Sequence, residues 1–201
     1  MIDVTKNSAR LLGVILAGGS SRRMGGQDKF LLPLAGKSIL DHIIERLRPQ
    51  VDELILNANS EHILTNIKVI PDLYEPVGPM AGLYTALSYA KDNGFEKVVT
   101  VASDTPFIPD DFSKRLLEKA QNKIVVAKSN DRIHPVLALW DVSLLGELTE
   151  ALNDDQRKMM SWISRFEVAE VCWNNSPDPF FNINTAEDLK EAEDLSDYFF
   201  K

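Results

Sequence analysis

Short apolar runs recur along the chain at intervals that suit a sheet. Continuous runs of this kind are typical of buried strands. They predict strands at Leu12–Leu16, Glu53–Asn57, Lys68–Ile70, Lys97–Ala102, Ile124–Ala127 and Val136–Trp140.

Between these runs, apolar residues recur at helical spacing. Ile39, Ile43 and Leu47 mark a first helix, which is expected to end near Pro49. Further helices are predicted at Ala81–Ala90, Phe112–Ala120, Leu144–Leu152, Met159–Phe166 and Ala186–Leu195. The last should begin with Thr185 as its N-cap, in an arrangement close to a capping box.

Strands that alternate with helices at this density predict an α/β fold with a doubly wound, mostly parallel sheet. From Val136 onward the strand pattern weakens, and antiparallel additions are expected. With 201 residues, of which 44% are hydrophobic, the chain can bury one sizeable core, so a single domain over 1–201 is expected.

The formal charge of −8 argues against nucleic-acid binding, which normally needs a basic face. Against that background the segment 18–38 is basic: four cations oppose the single anion Asp28, for a local charge of +3. An acidic protein with one basic loop suits a small anionic substrate.

The cysteine and histidine content limits the metals that the chain could bind. Cys172 is the single cysteine, so neither an internal disulfide nor a cysteine-built zinc site is expected. Three dispersed histidines leave a hard cation on oxygen ligands as the expected metal. The apolar run 11–17 is at the lower limit for a signal peptide, and no run reaches the ~20 apolar residues of a membrane helix. We therefore expect a cytoplasmic protein that does not enter a membrane.

The most informative stretch is the predicted first strand and the loop after it, 13–29. The strand ends on Gly18 and Gly19, and the loop then carries Arg22, Arg23 and Lys29. Exposed backbone amides with nearby cations bind phosphate, so this stretch predicts a nucleoside triphosphate site, with Lys29 as a point charge on a phosphate oxygen. A glycine pair alone would fit a tight turn equally well, but a turn needs no converging cations.

Two other phosphate motifs fail on inspection. Gly36-Lys37-Ser38 resembles the end of a P-loop, but Leu31 stands where that motif needs glycine. The dinucleotide fingerprint fails because Ser20 replaces its second glycine, which argues against a dinucleotide-dependent oxidoreductase.

Asp104 follows the apolar strand 97–102, at the end where open α/β sheets bind ligands. A carboxylate there can hold Mg²⁺ on phosphate oxygens; the alternative is a turn residue ahead of Pro106. Asn57 and Asp72 also lie at strand ends. The side-chain amides of Asn57 and Asn59 could contact a base or ribose, but Asn is also common where strands turn into helices.

Several smaller motifs fit either a binding role or an ordinary structural one. Gly78, Pro79 and Gly82 suit a helix start that either admits a flat ring or packs tightly on the sheet. His134 beside Pro135 is typical of a turn but could serve a site. Arg157 and Lys158 form a basic pair that could hold a second anion or be a solvated helix face. The amides of Asn182 and Asn184 are expected on one face of the chain.

Taken together, these motifs closely resemble those of the molybdenum cofactor guanylyltransferases. The resemblance covers about residues 12–189, and its narrower motifs are Arg23-Met24-Gly25-Gly26, Asp28-Lys29, Asn57-Ala58-Asn59, His134-Pro135 and Asn182-x-Asn184-Thr185. It implies a three-layer, Rossmann-like nucleotidyltransferase fold, with a nucleotide half at about 11–108 and an acceptor half at about 109–195.

The resemblance also implies roles for individual residues. GTP would be bound by Leu16, Ala17, Gly18, Gly19, Lys29, Asn57, Asp72, Gly78, Pro79, Gly82 and Asp104. The catalytic residues would be Arg23, Lys29 and Asp104, with Asp104 holding Mg²⁺. The acceptor, molybdenum-bound molybdopterin, would be met by His134, Arg157, Asn182 and Asn184.

The expected reaction transfers GMP from GTP to the terminal phosphate of the acceptor and releases pyrophosphate. Transient contacts with proteins that insert molybdenum and deliver molybdopterin would accompany it. Two alternatives remain at this point: a cytidylyltransferase acting on molybdopterin or on a sugar or polyol phosphate, and a molybdopterin-binding chaperone without chemistry.

Overall fold

The computed structural model describes residues 9–17, 28–59, 63–75 and 78–200. Within these ranges the chain forms a large sheet and a small hairpin, flanked by helices. The strands are β1 (Leu11–Leu16), β2 (Pro33–Leu34), β3 (Lys37–Ser38), β4 (Glu53–Asn57), β5 (Lys68–Ile70), β6 (Lys97–Ala102), β7 (Ile124–Ser129), β8 (Arg132–Asp141) and β9 (Val168–Cys172). The α-helices are α1 (Ile39–Leu47), α2 (Pro79–Asp92), α3 (Phe112–Leu117), α4 (Leu145–Asn153), α5 (Met159–Ile163) and α6 (Ala186–Phe199).

In the described part of the chain, seven strands make one sheet in the order β5-β4-β1-β6-β8-β7-β9. Strand β1 pairs in parallel with β4 and β6 on its two sides. Strand β8 pairs antiparallel with both neighbours, whereas β7 and β9 pair in parallel. The mostly parallel sheet predicted from the sequence is confirmed. An antiparallel strand was also expected in the later part of the chain, and β8 is that strand.

Two apolar cores lie on opposite faces of the sheet, which makes three layers. The side chains of β1 alternate between them: Leu11 and Ile15 join one core, while Leu12 and Val14 join the other. Buried residues of α1, α3 and α6 belong to the first core, and those of α2, α4 and α5 belong to the second. The doubly covered parallel sheet explains why its strands are continuous apolar runs.

The structure corrects several predicted boundaries. Helix α5 ends at Ile163 rather than Phe166, α3 ends at Leu117 rather than Ala120, and α6 continues to Phe199. Thr185 is the N-cap of α6, and its capping box with Asp188 is complete. Two features had no counterpart among the predicted strands: the hairpin β2–β3 and the edge strand β9.

Strand β8 begins at Arg132, four residues before its predicted start, so His134 and Pro135 lie within a strand. The turn predicted for them is wrong. Ala138 pairs with Val126 but His134 pairs with Ala127, so residues 135–137 bulge out of the ladder. Proline has no N–H for the ladder, and such a bulge is where a strand accepts it.

Among the described residues, no helix has the length and apolar character needed to cross a bilayer.

Candidate active site

The candidate site lies at the carboxyl edge of the parallel strands. Backbone hydrogen bonds join the strand ends there: Ala17 N donates to Asn57 O (2.9 Å) and Ser103 N donates to Leu16 O (3.1 Å). Since β1, β4 and β6 run in parallel, the residues that follow them meet at one edge. Leu16 and Ala17 therefore form part of the wall of a cleft of about 560 Å³.

Asp104 lines this cleft, two residues beyond the end of β6. Its Oδ1 accepts hydrogen bonds from Asn182 Nδ2 (3.1 Å) and from Thr105 Oγ1 (3.2 Å). Burial raises the pKa of the Asp104 carboxyl above its usual value, and these two donors and the charge of Lys29 oppose the rise. A carboxylate fixed through one oxygen in a partly buried cleft is prepared to meet a cation through the other.

Lys29 reaches the same cleft from the short 3₁₀ turn at Lys29–Leu31. Its Nζ donates to the main-chain oxygen of Asn184 at 2.6 Å. The ammonium is thus held against the segment before α6, although 155 residues separate the two partners in sequence. The predicted pair of Lys29 and Asp104 meets in one cleft.

Asn182 and Asn184 also line the cleft, as the alternating pattern suggested, but they act through different atoms. Asn182 donates its side-chain amide to Asp104, whereas Asn184 offers its main-chain oxygen to Lys29. The backbone N–H of Ile183 between them donates to the Asp104 carbonyl oxygen at 2.9 Å. This segment therefore supports both Lys29 and Asp104.

A second polar cluster follows strands β4 and β5. The side-chain amides of Asn57 and Asn59 donate to opposite oxygens of the Asp72 carboxylate, each at 2.9 Å. Asn57 is fully buried, and its Oδ1 has no hydrogen-bond partner among the described residues. The three residues lie together at the strand ends, and none of them is among the cleft-lining residues.

Helix α2 begins beside this cluster. Its N-cap, Gly78, has φ 78° and ψ −148°, a conformation that favours glycine, and Pro79 is the first helical residue and lines the cleft. Gly82 packs against the sheet so closely that a Cβ there would lie 2.5 Å from Asn57 Oδ1. The tight packing of the helix start on the sheet, one of the two alternatives that the sequence left open, is therefore present. It involves Asn57, which is predicted to bind the nucleotide.

His134 lines the cleft from β8 and is 7% exposed. Its Nε2 lies 2.8 Å from Ser129 Oγ. Burial lowers the pKa of the His134 imidazole, and the nearby Asp178 charge opposes that effect. The bulge next to His134 brings Pro135, Val136 and Leu137 into the cleft wall.

Some predicted residues lie elsewhere. Arg157 follows α4, pairs with Asp155 and is not among the cleft-lining residues, so its acceptor role stays a prediction. Gly18, Gly19 and Arg23 lie outside the described residues.

Several groups in or beside the cleft were not predicted from the sequence. Arg132, Ser103 and Thr105 line the cleft, and Ser129 and Asp178 form a hydrogen-bonded pair beside His134. Arg132 and Asp178 belong to no motif that could have marked them, whereas Thr105 adjoins Asp104 and could have been included.

The donor set of the cleft can be tested against the expected metal. Among the described residues, no group of three or more histidine, cysteine, aspartate or glutamate side chains converges to hold an ion. Asp104 is the one carboxylate of the described cleft lining, and its two side-chain donors, Asn182 and Thr105, both contact Oδ1. One carboxylate oxygen suits a hard cation such as Mg²⁺, which takes most of its ligands from phosphates and water.

Known proteins share both the sequence and this architecture. A family model described as a MobA-like NTP transferase domain matches residues 13–170. The molybdenum cofactor guanylyltransferase of Nitrobacter hamburgensis is 44% identical over 197 residues, which cover 92% of this chain and 93% of that protein.

Solved structures of other proteins have a similar fold. The molybdopterin-guanine dinucleotide biosynthesis protein A of Archaeoglobus fulgidus superposes with a TM-score of 0.76 at 27% identity, covering 94% of this chain and 99% of its own. The manganese complex of Rv0371c from Mycobacterium tuberculosis shares the fold, with a TM-score of 0.66 at 16% identity over 92% of this chain and 98% of that one. On the family model and the 44% identity, the chain belongs to the MobA-like NTP transferases, in the family of the molybdenum cofactor guanylyltransferases.

Proposed function

We propose that this protein transfers GMP from GTP to the terminal phosphate of molybdenum-bound molybdopterin and releases pyrophosphate. One observation carries the proposal: the Lys29 ammonium and the Asp104 carboxylate line a single cleft beyond the carboxyl ends of β1 and β6. A triphosphate needs a fixed cation and a metal-binding oxygen side by side. The guanylyltransferase activity in the names of the relatives indicates GTP as the nucleotide.

The chemistry needs little from the protein beyond alignment and charge. An oxygen of the acceptor phosphate forms a bond to the α-phosphorus of GTP, and the bond from that phosphorus to the bridging β-oxygen breaks, so its electron pair leaves with pyrophosphate. A phosphate is already an anionic nucleophile at neutral pH, so the step requires no general base. Lys29, which lines the cleft, would neutralise phosphate charge that builds up during the transfer.

Nucleotidyltransferases of this family typically use a divalent metal, and we propose Mg²⁺ here. When bound, Mg²⁺ would neutralise charge on the phosphate oxygens. Asp104 would hold it through Oδ2 while Asn182 and Thr105 fix Oδ1.

In this proposal the two halves of the chain bind different substrates. Residues 11–108 hold the nucleotide, with the Asn57–Asp72 cluster and the start of α2 beside the base. Residues 109–195 hold the acceptor, with His134, Asn182 and Asn184 in the cleft and Arg157 as a further anion ligand. Arg23 helps to bind the triphosphate. The reaction would take place in the cytoplasm, with transient contacts to the proteins that insert molybdenum and deliver molybdopterin; a lone, unpaired Cys172 is usual in reducing compartments.

Pyrophosphate release tests the proposal. The purified protein is incubated with Mg²⁺, molybdenum-bound molybdopterin and each of the four ribonucleoside triphosphates in turn. We expect GTP to give the fastest release. Preference for CTP would instead identify a cytidylyltransferase, and binding of both ligands without pyrophosphate would identify a carrier; either result would overturn the proposal.

A further inference from the structure

A chain of three hydrogen-bonded side chains lies beside the cleft. Ser129 is the last residue of β7, His134 lies on β8, and Asp178 lies in the segment between β9 and α6. His134 Nε2 lies 2.8 Å from Ser129 Oγ, and that hydroxyl lies 2.9 Å from Asp178 Oδ2. Ser129 and His134 are both buried, so water does not readily replace these bonds.

The direction of each bond follows from the number of protons. Asp178 accepts from three donors: the Ser129 hydroxyl, Asn130 Nδ2 at 3.1 Å and the Phe180 N–H at 2.9 Å. A carboxylate that meets three donors is an acceptor, so the single hydroxyl proton of Ser129 points to Asp178. The Ser129 oxygen is then left to accept a hydrogen bond from His134, which places the imidazole proton on Nε2.

A neutral imidazole with its proton on Nε2 carries a lone pair on Nδ1. His134 lines the cleft, and its Nδ1 has no hydrogen-bond partner among the described residues. Burial lowers the pKa of this imidazole, which favours the neutral form. The ring is therefore prepared to accept a hydrogen bond rather than to donate one.

The position of His134 in the sheet decides which substrate it meets. In the order β4-β1-β6-β8, three strand spacings separate the strand of Asn57 from the strand of His134. Strands lie about 4.8 Å apart, so the two strands are about 14 Å apart, with the cleft and Asp104 between them. A nucleotide whose base lies near Asn57 leaves the His134 side for the acceptor.

We propose that Ser129 and Asp178 are positioning residues that hold His134 as its Nε2–H tautomer, so that Nδ1 accepts a hydrogen bond from an N–H or O–H donor of the acceptor substrate. The inference rests on the proposed function, which supplies a pterin-like acceptor with such donors. Neither positioning residue needs to touch the substrate.

The test compares Ser129→Ala with two reference variants. Ser129→Thr keeps the hydroxyl. Ser113→Ala removes a hydroxyl that is also buried, has no hydrogen-bond partner among the described residues and does not line the cleft. The ¹⁵N signals of the imidazole, assigned by their loss in His134→Gln, report which nitrogen carries the proton. Calorimetry with molybdopterin and, separately, with Mg-GTP reports the two affinities.

We expect the wild type and Ser129→Thr to show the Nε2–H tautomer and Ser129→Ala to lose it. Ser129→Ala should bind molybdopterin about tenfold more weakly, the usual effect of one lost hydrogen bond, with Mg-GTP affinity unchanged. A wild-type Nδ1–H tautomer, or equal molybdopterin affinity in Ser129→Ala, would overturn the inference alone. A wild type that bound no molybdopterin would overturn the proposed function as well.

Discussion

The most informative single residue is Asp104, because its surroundings favour the neutral acid while its proposed role needs the anion. Burial raises the pKa of its carboxyl, and the hydrogen bonds from Asn182 and Thr105 offset part of that rise. Such a conflict is typical of functional sites, where a charged group is retained in a place that would suit a neutral one better.

Asp104→Asn should separate stability from activity. Asparagine keeps an oxygen to accept from Asn182 and Thr105 but removes the charge. The Asp104 carboxyl has a higher pKa in the folded protein than in the unfolded chain, so its ionisation destabilises the fold. The full destabilisation is present at a pH above the folded pKa, and none is present at a pH below the unfolded pKa. At neutral pH the variant should therefore have a higher melting temperature than the wild type, and the difference should shrink as the pH falls to the usual aspartate range.

The same variant should lose about 10²–10³ of the guanylyl transfer rate, because the metal-binding oxygen is gone. Asp110→Asn is the matched control, since that carboxylate is 84% exposed and pairs loosely with Arg46. Thermal melts across pH and initial rates of pyrophosphate release give both readouts. An Asp104→Asn variant with full activity would refute the assigned role.

Lys29→Ala removes the cleft-lining cation that is held against the Asn184 main chain. We expect a loss of about 10²–10³ in rate with little change in stability, because the lysine is at the surface of the cleft and donates to a main-chain oxygen. Lys37→Ala is the control: it removes a cation of the same basic segment that pairs with Glu45 instead. Steady-state rates of pyrophosphate release are compared for the two variants. Equal rates would contradict the role of Lys29.

At this scale the sequence predicted the residues that sit in recognisable motifs and missed the rest. Lys29 and Asp104 follow strands at identifiable positions, so their meeting could be expected. Ser129 and Asp178 form a side-chain contact across 49 residues of sequence, which no local pattern encodes.

At the scale of elements, the long continuous apolar strands β1, β4 and β6 and the helices with a clear apolar face were predictable. Strand β9 has an exposed or half-buried pattern with one buried residue, Val171, so it carries no apolar run. The hairpin β2–β3 is too short for any periodicity. The early start of β8 depends on the bulge at Pro135, which is a tertiary feature that sequence pattern alone does not reveal.

Helix α2 and strand β4 meet at Gly82, and that contact can be tested. Gly82→Ala would place a Cβ 2.5 Å from Asn57 Oδ1 and 3.1 Å from Leu16 Cδ2. Either the helix or the buried amide must shift, so we expect lower stability and a higher KM for GTP. Urea unfolding and nucleotide titration measure the two effects.

Gly146→Ala is the control for that change. Gly146 lies in α4, and an added Cβ there meets no heavy atom of the described residues within 4 Å. Alanine is the better helix former by about 1 kcal/mol, so this variant should be as stable as the wild type or more stable. Equal behaviour of the two glycine variants would show that the contact between α2 and β4 is not tight.

At the scale of the whole molecule, the cleft is assembled from distant parts of the chain. Lys29 comes from near the start, Asp104 from the middle, and Asn182 and Asn184 from just before the last helix. The hydrogen bond from Lys29 to Asn184 and that from Asn182 to Asp104 connect these parts directly. The site therefore depends on the folded sheet as a unit, and α6 contributes by fixing the segment that precedes it.

The most direct test of this account is a crystal structure of the protein with Mg²⁺ and a GTP analogue that cannot be cleaved between the α- and β-phosphates. We expect the metal on an Asp104 oxygen, Lys29 Nζ within hydrogen-bond distance of a phosphate oxygen, and the base on the α2 side of the cleft. A triphosphate bound away from both residues, with the cleft between β1 and β8 empty, would contradict the account.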